Sequence, residues 1–164
     1  ALFNVADVSN PKVLDDHVIG DSSTQSEALY NHKAFFFDKS RNVLSIPISA
    51  DVESLDNLTS SKMFAPDYNR WSGFYIFDLD TQNGIDMKGT ITHSDSDTKY
   101  YGMNNARTFY IDDVLYTASQ GYLKMNSFDE LDEINSIKLE NTGKFIEYFG
   151  EETVSIEPMP EPIR

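Results

Sequence analysis

The chain has 164 residues, enough for one domain with a buried core. Its 27 Asp and Glu against 13 Lys and Arg give a formal net charge of −14, which repels nucleic-acid phosphates and anionic lipid and argues against both as partners. The absence of cysteine excludes disulfides and thiolate metal sites, and no apolar run approaches the roughly eighteen residues of a membrane span.

Eleven Phe and nine Tyr suit pleated, half-buried strands, and the elements follow that bias. Residues 1–6 read as a short strand entered in mid-course, so the chain is expected to begin partway through a repeat. A turn at Val8-Ser9-Asn10-Pro11 leads to a second extended segment over 12–19, stopped by Gly20. A polar connection over 21–33, with Leu29 and Tyr30 as anchors, precedes the apolar strand Ala34 to Phe37. The turn Asp38 to Asn42 returns it into an alternating strand from Val43 to Ile48. Residues 50–70 are irregular, with a short helix as one reading of Ser54 to Met63 and a glycosylation sequon at Asn57-Leu58-Thr59. Trp71 opens a strand to Asp78, and Asn83-Gly84 predicts a type I′ hairpin into Met87 to Thr92.

After a second polar connection over 93–105, Arg107 to Ile111 and Val114 to Ser119 form a hairpin about Asp112-Asp113. Tyr122 to Asn126 extends, Phe128 to Glu133 is a polar turn, and Asn135 to Leu139 closes the set. Lys144 to Phe149 reads as one further strand ahead of the tail Pro158-Met159-Pro160-Glu161-Pro162. Laid end to end, Leu2-Phe3-Asn4-Val5, Ile76-Phe77-Asp78-Leu79 and Leu123-Lys124-Met125-Asn126 occupy equivalent places, each followed by a turn and a strand. The tighter hairpins 34–48 and 107–119 lie between them. Four consecutive antiparallel strands per unit is the pattern of an all-β propeller, here about two complete blades plus half a blade over 1–140, with 141–164 a strand and tail. A sandwich or closed barrel is the competing all-β arrangement.

The stretch Ser26-Glu27-Ala28-Leu29-Tyr30-Asn31-His32-Lys33-Ala34-Phe35-Phe36-Phe37-Asp38 resembles the SEALYDHKAFLFD segment of secreted proteins with a C-terminal β-propeller domain, distantly WD40-like and mainly archaeal. Asp7 to Pro11, Gly89 to His93, Arg107 to Ser119 and Asn135 to Leu139 resemble further segments of that family in the same order. Asn31 departs from its Asp, and the 50–70 loop differs. The resemblance implies an exported, extracellular propeller whose remaining blades belong to the same parent protein, and it implies no defined reaction. Some members are described as zinc-dependent proteases, but this chain has no His-Glu-x-x-His pair.

Candidate chemistry centres on His32 and His93, each beside a connection into a hairpin. With Asp95, Asp97 or Glu27 they would hold a divalent metal such as copper or zinc, whereas the plainer role for each imidazole is a backbone hydrogen bond. His17, in a different strand, fits that site less well. Asp95-x-Asp97 and Asp78-x-Asp80 offer oxygens to calcium but lack the glycine and downstream Glu of an EF-hand, and Asp clusters serve turns equally. Ser22, Ser23 and Ser26 near His32 lack a Gly-x-Ser-x-Gly elbow. Glu27 with Lys33 and Asp38 forms either part of a ligand surface or an ion-pair network. Tyr30, Tyr68, Trp71, Tyr100 and Tyr101 provide a peptide or glycan surface, or pack blades together. The reading is therefore a binding module for a protein, glycan or metal through its loop face, without a catalytic motif. The alternative is a metal-binding secreted protein or metal-dependent hydrolase built on the loop His and Asp residues.

Overall fold

The computed structural model describes residues 1–51, 70–94 and 103–139. The expectations for 52–69, for Asp95, Asp97, Tyr100 and Tyr101, and for 141–164 lie outside the described residues. Ten strands are described: β1 (Leu2–Asn4), β2 (Lys12–Asp15), β3 (Phe36–Asp38), β4 (Val43–Asp51), β5 (Arg70–Asp80), β6 (Gly84–Thr92), β7 (Arg107–Ile111), β8 (Val114–Ala118), β9 (Tyr122–Ser127) and β10 (Glu133–Lys138). They form a two-stranded sheet, β1-β2, and two four-stranded antiparallel sheets, β3-β4-β5-β6 and β7-β8-β9-β10. Two complete blades and half of another are thus present, as the repeat predicts. Among the described residues no helix is long and apolar enough to cross a membrane.

Register sets the paired positions of the two blades in correspondence. Ser45 pairs with Ile76 and Phe74 with Ile91, while Tyr116 pairs with Met125 and Leu123 with Ile137. Beyond β6, the His93 N–H donates to the Ser72 carbonyl at 2.7 Å, and beyond β10 the Leu139 N–H donates to the Gly121 carbonyl at 2.8 Å. Tyr116 therefore stands where Ser45 stands in the preceding blade, Met125 where Ile76 stands, and Leu139 where His93 stands. Each blade has a forward face, toward the next blade in chain order, and a rear face.

The core lies where the forward face of β3–β6 meets the rear face of β7–β10. Val43, Phe74, Ile76 and Ile91 pack there against Ala106, Leu115 and Phe128, all nearly inaccessible to water. Burying side chains the size of Val, Ile, Leu and Phe stabilises by about 1.5–3 kcal/mol each, which makes this joint a main apolar contact among the described residues. Gly89 matters to it because Leu131 of the next blade reaches where a β-carbon would stand, with Cδ1 at 2.9 Å. Pro47 is tolerated inside β4 because β3 stops at Phe36, opposite Ser45, and ladder pairing resumes only at the bridge between Ser49 and Gln25.

Several element ends differ from the sequence reading for local reasons. β3 begins at Phe36 because Asn31 caps a short 3-10 turn, its side chain accepting from the Lys33 N–H, which takes up Ala34. The β5–β6 hairpin is not type I′: Gly84 alone has positive φ, at 94°, and Asn83 does not. The Asp80 carboxylate accepts from the N–H groups of Gln82 and Asn83 at 2.6 and 2.8 Å, closing the loop from its first residue. Gly84 is demanded twice over, since the Asp15 carboxylate of β2 lies 2.2 Å from where its β-carbon would be and accepts from the Ile85 N–H at 2.8 Å. That contact, with the edge of His17 against Phe77 at 5.2 Å, fixes the half-blade to the rear of the first blade.

Candidate functional site

The connection entering β3 is built around Glu27. Ser26 caps the turn Glu27–Leu29 by accepting from the Ala28 N–H, which turns the Glu27 side chain inward, where it is 5% exposed. One carboxylate oxygen accepts from the Ala106 N–H of the next blade at 2.7 Å. The other accepts from the Asn31 side-chain amide and lies 3.7 Å from the Arg107 guanidinium. Glu27 is thus a cross-blade tether, which corrects both its assignment to a ligand surface and the network with Lys33 and Asp38. Asp38 instead takes both the N–H and the hydroxyl of Ser40, which hold its carboxyl below the usual range. Because the turn is held from beneath, its outer residues stand clear: Leu29 is 84% and Tyr30 76% exposed.

His93 sits in the joint, 1% exposed. Its Nδ1 lies 2.8 Å from the Ser119 hydroxyl and its Nε2 2.8 Å from the Thr117 hydroxyl, both on the following blade. The Ser119 oxygen already accepts from the N–H groups of Gly121 and Tyr122, so its own proton is directed to Nδ1. Nε2 then carries the imidazole proton and donates to Thr117. Burial, aided by the charge of Lys124 and opposed by that of Glu133, pushes the His93 pKa down to about 3. Alongside, the hydroxyls of Ser45 and Thr108 bond at 2.8 Å across the same joint. The Arg41 guanidinium lies between the rings of Tyr110 and Phe128, at 4.5 and 4.2 Å, and donates to the Asp112 carbonyl.

These positions show what the described candidate ligands do in the fold. His93 has no free lone pair, because both its nitrogens are held by hydroxyls, while His32 is exposed in its turn. Among the described residues no group of three or more His, Cys, Asp or Glu converges on a common point. Asp78 pairs with Lys88 at 3.6 Å and Asp80 closes its hairpin, so neither oxygen set is left facing a common ion. Ser23 bonds to Asp21 and Ser26 caps its turn, which gives two of the three serines structural duties. Trp71 is half-buried, with its indole N–H donating to Thr92 and its ring edge on Tyr75 at 5.4 Å. It acts within the sheet, while Tyr30 projects from it.

Sequence reasoning missed the forward face of β7–β10. Phe109 and Tyr116 stack there at 4.9 Å, and Ile111 and Ile137 are 56% and 48% exposed. The signal was the alternation along Arg107 to Ser119, whose two faces are both rich in large residues.

Stacked four-stranded antiparallel blades, joined face to face and entered by capped connections, define a β-propeller. The chain belongs to the β-propeller domain family, whose model matches residues 1–131. No curated protein and no solved structure matches the chain significantly.

Proposed function

We propose that this chain is a binding module that engages a protein or glycan ligand through the connection face of its blades, with Leu29 and Tyr30 as the contact tip. The observation that carries this reading is the contrast within one turn: Glu27 is 5% exposed and locked to the next blade, while Leu29 and Tyr30 are 84% and 76% exposed. An apolar and an aromatic side chain held rigidly in water lose little entropy on binding, and Tyr is enriched at such contacts. The resemblance of Ser26 to Asp38 to secreted propellers supports an extracellular setting, and the uncovered blade faces support completion of the ring by further blades of the same protein.

The test is a glycan array together with a displayed peptide library, probed with wild type and with the Leu29→Ser/Tyr30→Ser double variant. At least one class of ligand should bind wild type and bind the variant tenfold or more weakly, with the melting temperature unchanged. Ligands that bind both proteins equally, or no binding at all, overturn the assignment.

A further inference from the structure

We infer that the forward face of β7–β10 is a docking surface for one further blade of the same protein, and that the counter-face it accepts is apolar, unlike the hydroxyl-bearing rear face of β7–β10 itself. The inference rests on the reading that the ring continues beyond the described blades.

The occupant follows from continuity with the joint already formed. The forward face of β3–β6 is covered by a four-stranded blade, and the forward face of β7–β10 repeats its register position by position. Phe109 stands at the place of Phe36, opposite Tyr116 as Phe36 is opposite Ser45. Leu123, Met125 and Ile137 replace Phe74, Ile76 and Ile91. Yet Phe109 is 41% and Ile137 48% exposed while Leu123 and Met125 are half-buried, whereas in the covered joint Phe36 is half-buried and Phe74, Ile76 and Ile91 are 0%, 0% and 3% exposed. An apolar face spread over four strands is the kind of surface that a second sheet covers. A second copy of this acidic chain is a poorer occupant, since a net charge of −14 on each opposes self-association.

The chemistry of the occupant follows from the substitutions between equivalent sites. In the formed joint Ser45 meets Thr108, and His93 meets Thr117 and Ser119. On the forward face of β7–β10 the same two places hold Tyr116 and Leu139. Hydroxyls buried against Leu139 would lose their imidazole partner. The hollow at Gly89 that receives Leu131 is also altered, since Asn135 takes that register position opposite Met125. The incoming blade therefore presents aliphatic or aromatic groups opposite Leu139 and Tyr116, and no knob equivalent to Leu131.

Hydroxyl-radical footprinting of the 1–164 chain, at a concentration where light scattering reads a monomer, is compared with the protein isolated from its natural source. Phe109 and Ile111 should be modified in the chain and at least fivefold slower in the natural protein. Equal rates in both, or protection already in the monomeric chain, overturn the reading that a further blade covers the face. In the natural protein the double variant Tyr116→Ser/Leu139→His should lower the melting temperature by several degrees more than it does in the chain alone. Protection together with an equal or higher melting temperature for the variant means the counter-face is polar, and overturns the chemistry assigned to it.

Discussion

The His93 imidazole bonds across the joint between the two complete blades, and its protonation state contributes to how that joint responds to acid. His93 is neutral in the folded chain, with a pKa of about 3 against 6.5 for an unperturbed histidine. Between those values the unfolded chain binds the extra proton, so stability is complete above pH 6.5 and is lost as pH falls toward 3. The loss amounts to at most ~1.4 kcal/mol per pH unit within that window. Urea midpoints measured from pH 7.5 to 4.5 should fall steeply for wild type and less steeply for His93→Gln, which starts lower at pH 7.5 because the hydroxyls of Thr117 and Ser119 lose a fitted partner. Parallel slopes for the two proteins would assign the acid sensitivity to other groups. Glu27 makes a second, independent case. Both carboxylate oxygens accept from donors, so Glu27→Gln turns an amide N–H toward another N–H. Equilibrium unfolding should register a loss of about 1–3 kcal/mol although the volume is unchanged.

The hairpins illustrate what separates a legible element from a legible mechanism. The Asn83-Gly84 dipeptide marked the right place for a turn, but the turn is closed by Asp80 and the positive φ falls on Gly84 alone. Likewise Ala34 and Phe35 belong to the apolar run in sequence but are drawn out of β3 by the cap at Asn31. Strand identity and blade boundaries were readable because alternation and the three equivalent third strands are local or periodic signals. What was not readable is the contact of Asp15 with Gly84 and Ile85, a pairing across 70 residues of chain. It yields a double-mutant cycle. Gly84→Ala should destabilise by roughly 1–3 kcal/mol, from the strained φ and the displaced carboxylate. Asp15→Ala in the same chain should recover the part due to collision, so chemical denaturation should give a coupling of at least ~0.5 kcal/mol. Additive losses would show that strain alone sets the cost.

At the scale of the described blades, cohesion lies in the joint, and Arg41 is one of its partly exposed members. The guanidinium bridges the β3–β4 turn to Tyr110 and Phe128 of the next blade. Arg41→Lys keeps the charge but loses the flat ring contacts, so it should destabilise by about 0.5–2 kcal/mol, nearly as much as Arg41→Ala. Hydrogen exchange should place the added opening in both blades at once, whereas a change confined to the β3–β4 turn would contradict a bridging role. The candidate site was only partly legible at this scale. The reading of Tyr30 as a surface residue agrees with its exposure, but Leu29 and Tyr30 do not anchor the connection as expected, since both stand in solvent and Glu27 holds it. His93 drew notice as a histidine beside a loop, but its partners Thr117 and Ser119 lie 24 and 26 residues on, and only the stacking of sheets brings them to it. A metal-ligand reading and a structural reading look the same until those hydroxyls are placed.

The mismatch between His93 and Leu139 also bears on how such a chain can lengthen. Tandem duplication is the simplest way to add a repeat, and an in-frame copy of β7–β10 inserted after Leu139 would preserve every hairpin and every strand. It would nevertheless set the copied Thr117 and Ser119 against a leucine and the copied Thr108 against Tyr116. Each buried hydroxyl left without its partner costs about 1–3 kcal/mol, a sum comparable with the whole stability of a typical domain. Copying this repeat in tandem is therefore disfavoured by its own side chains: the extra unit would be translated but not accommodated at the seam it creates.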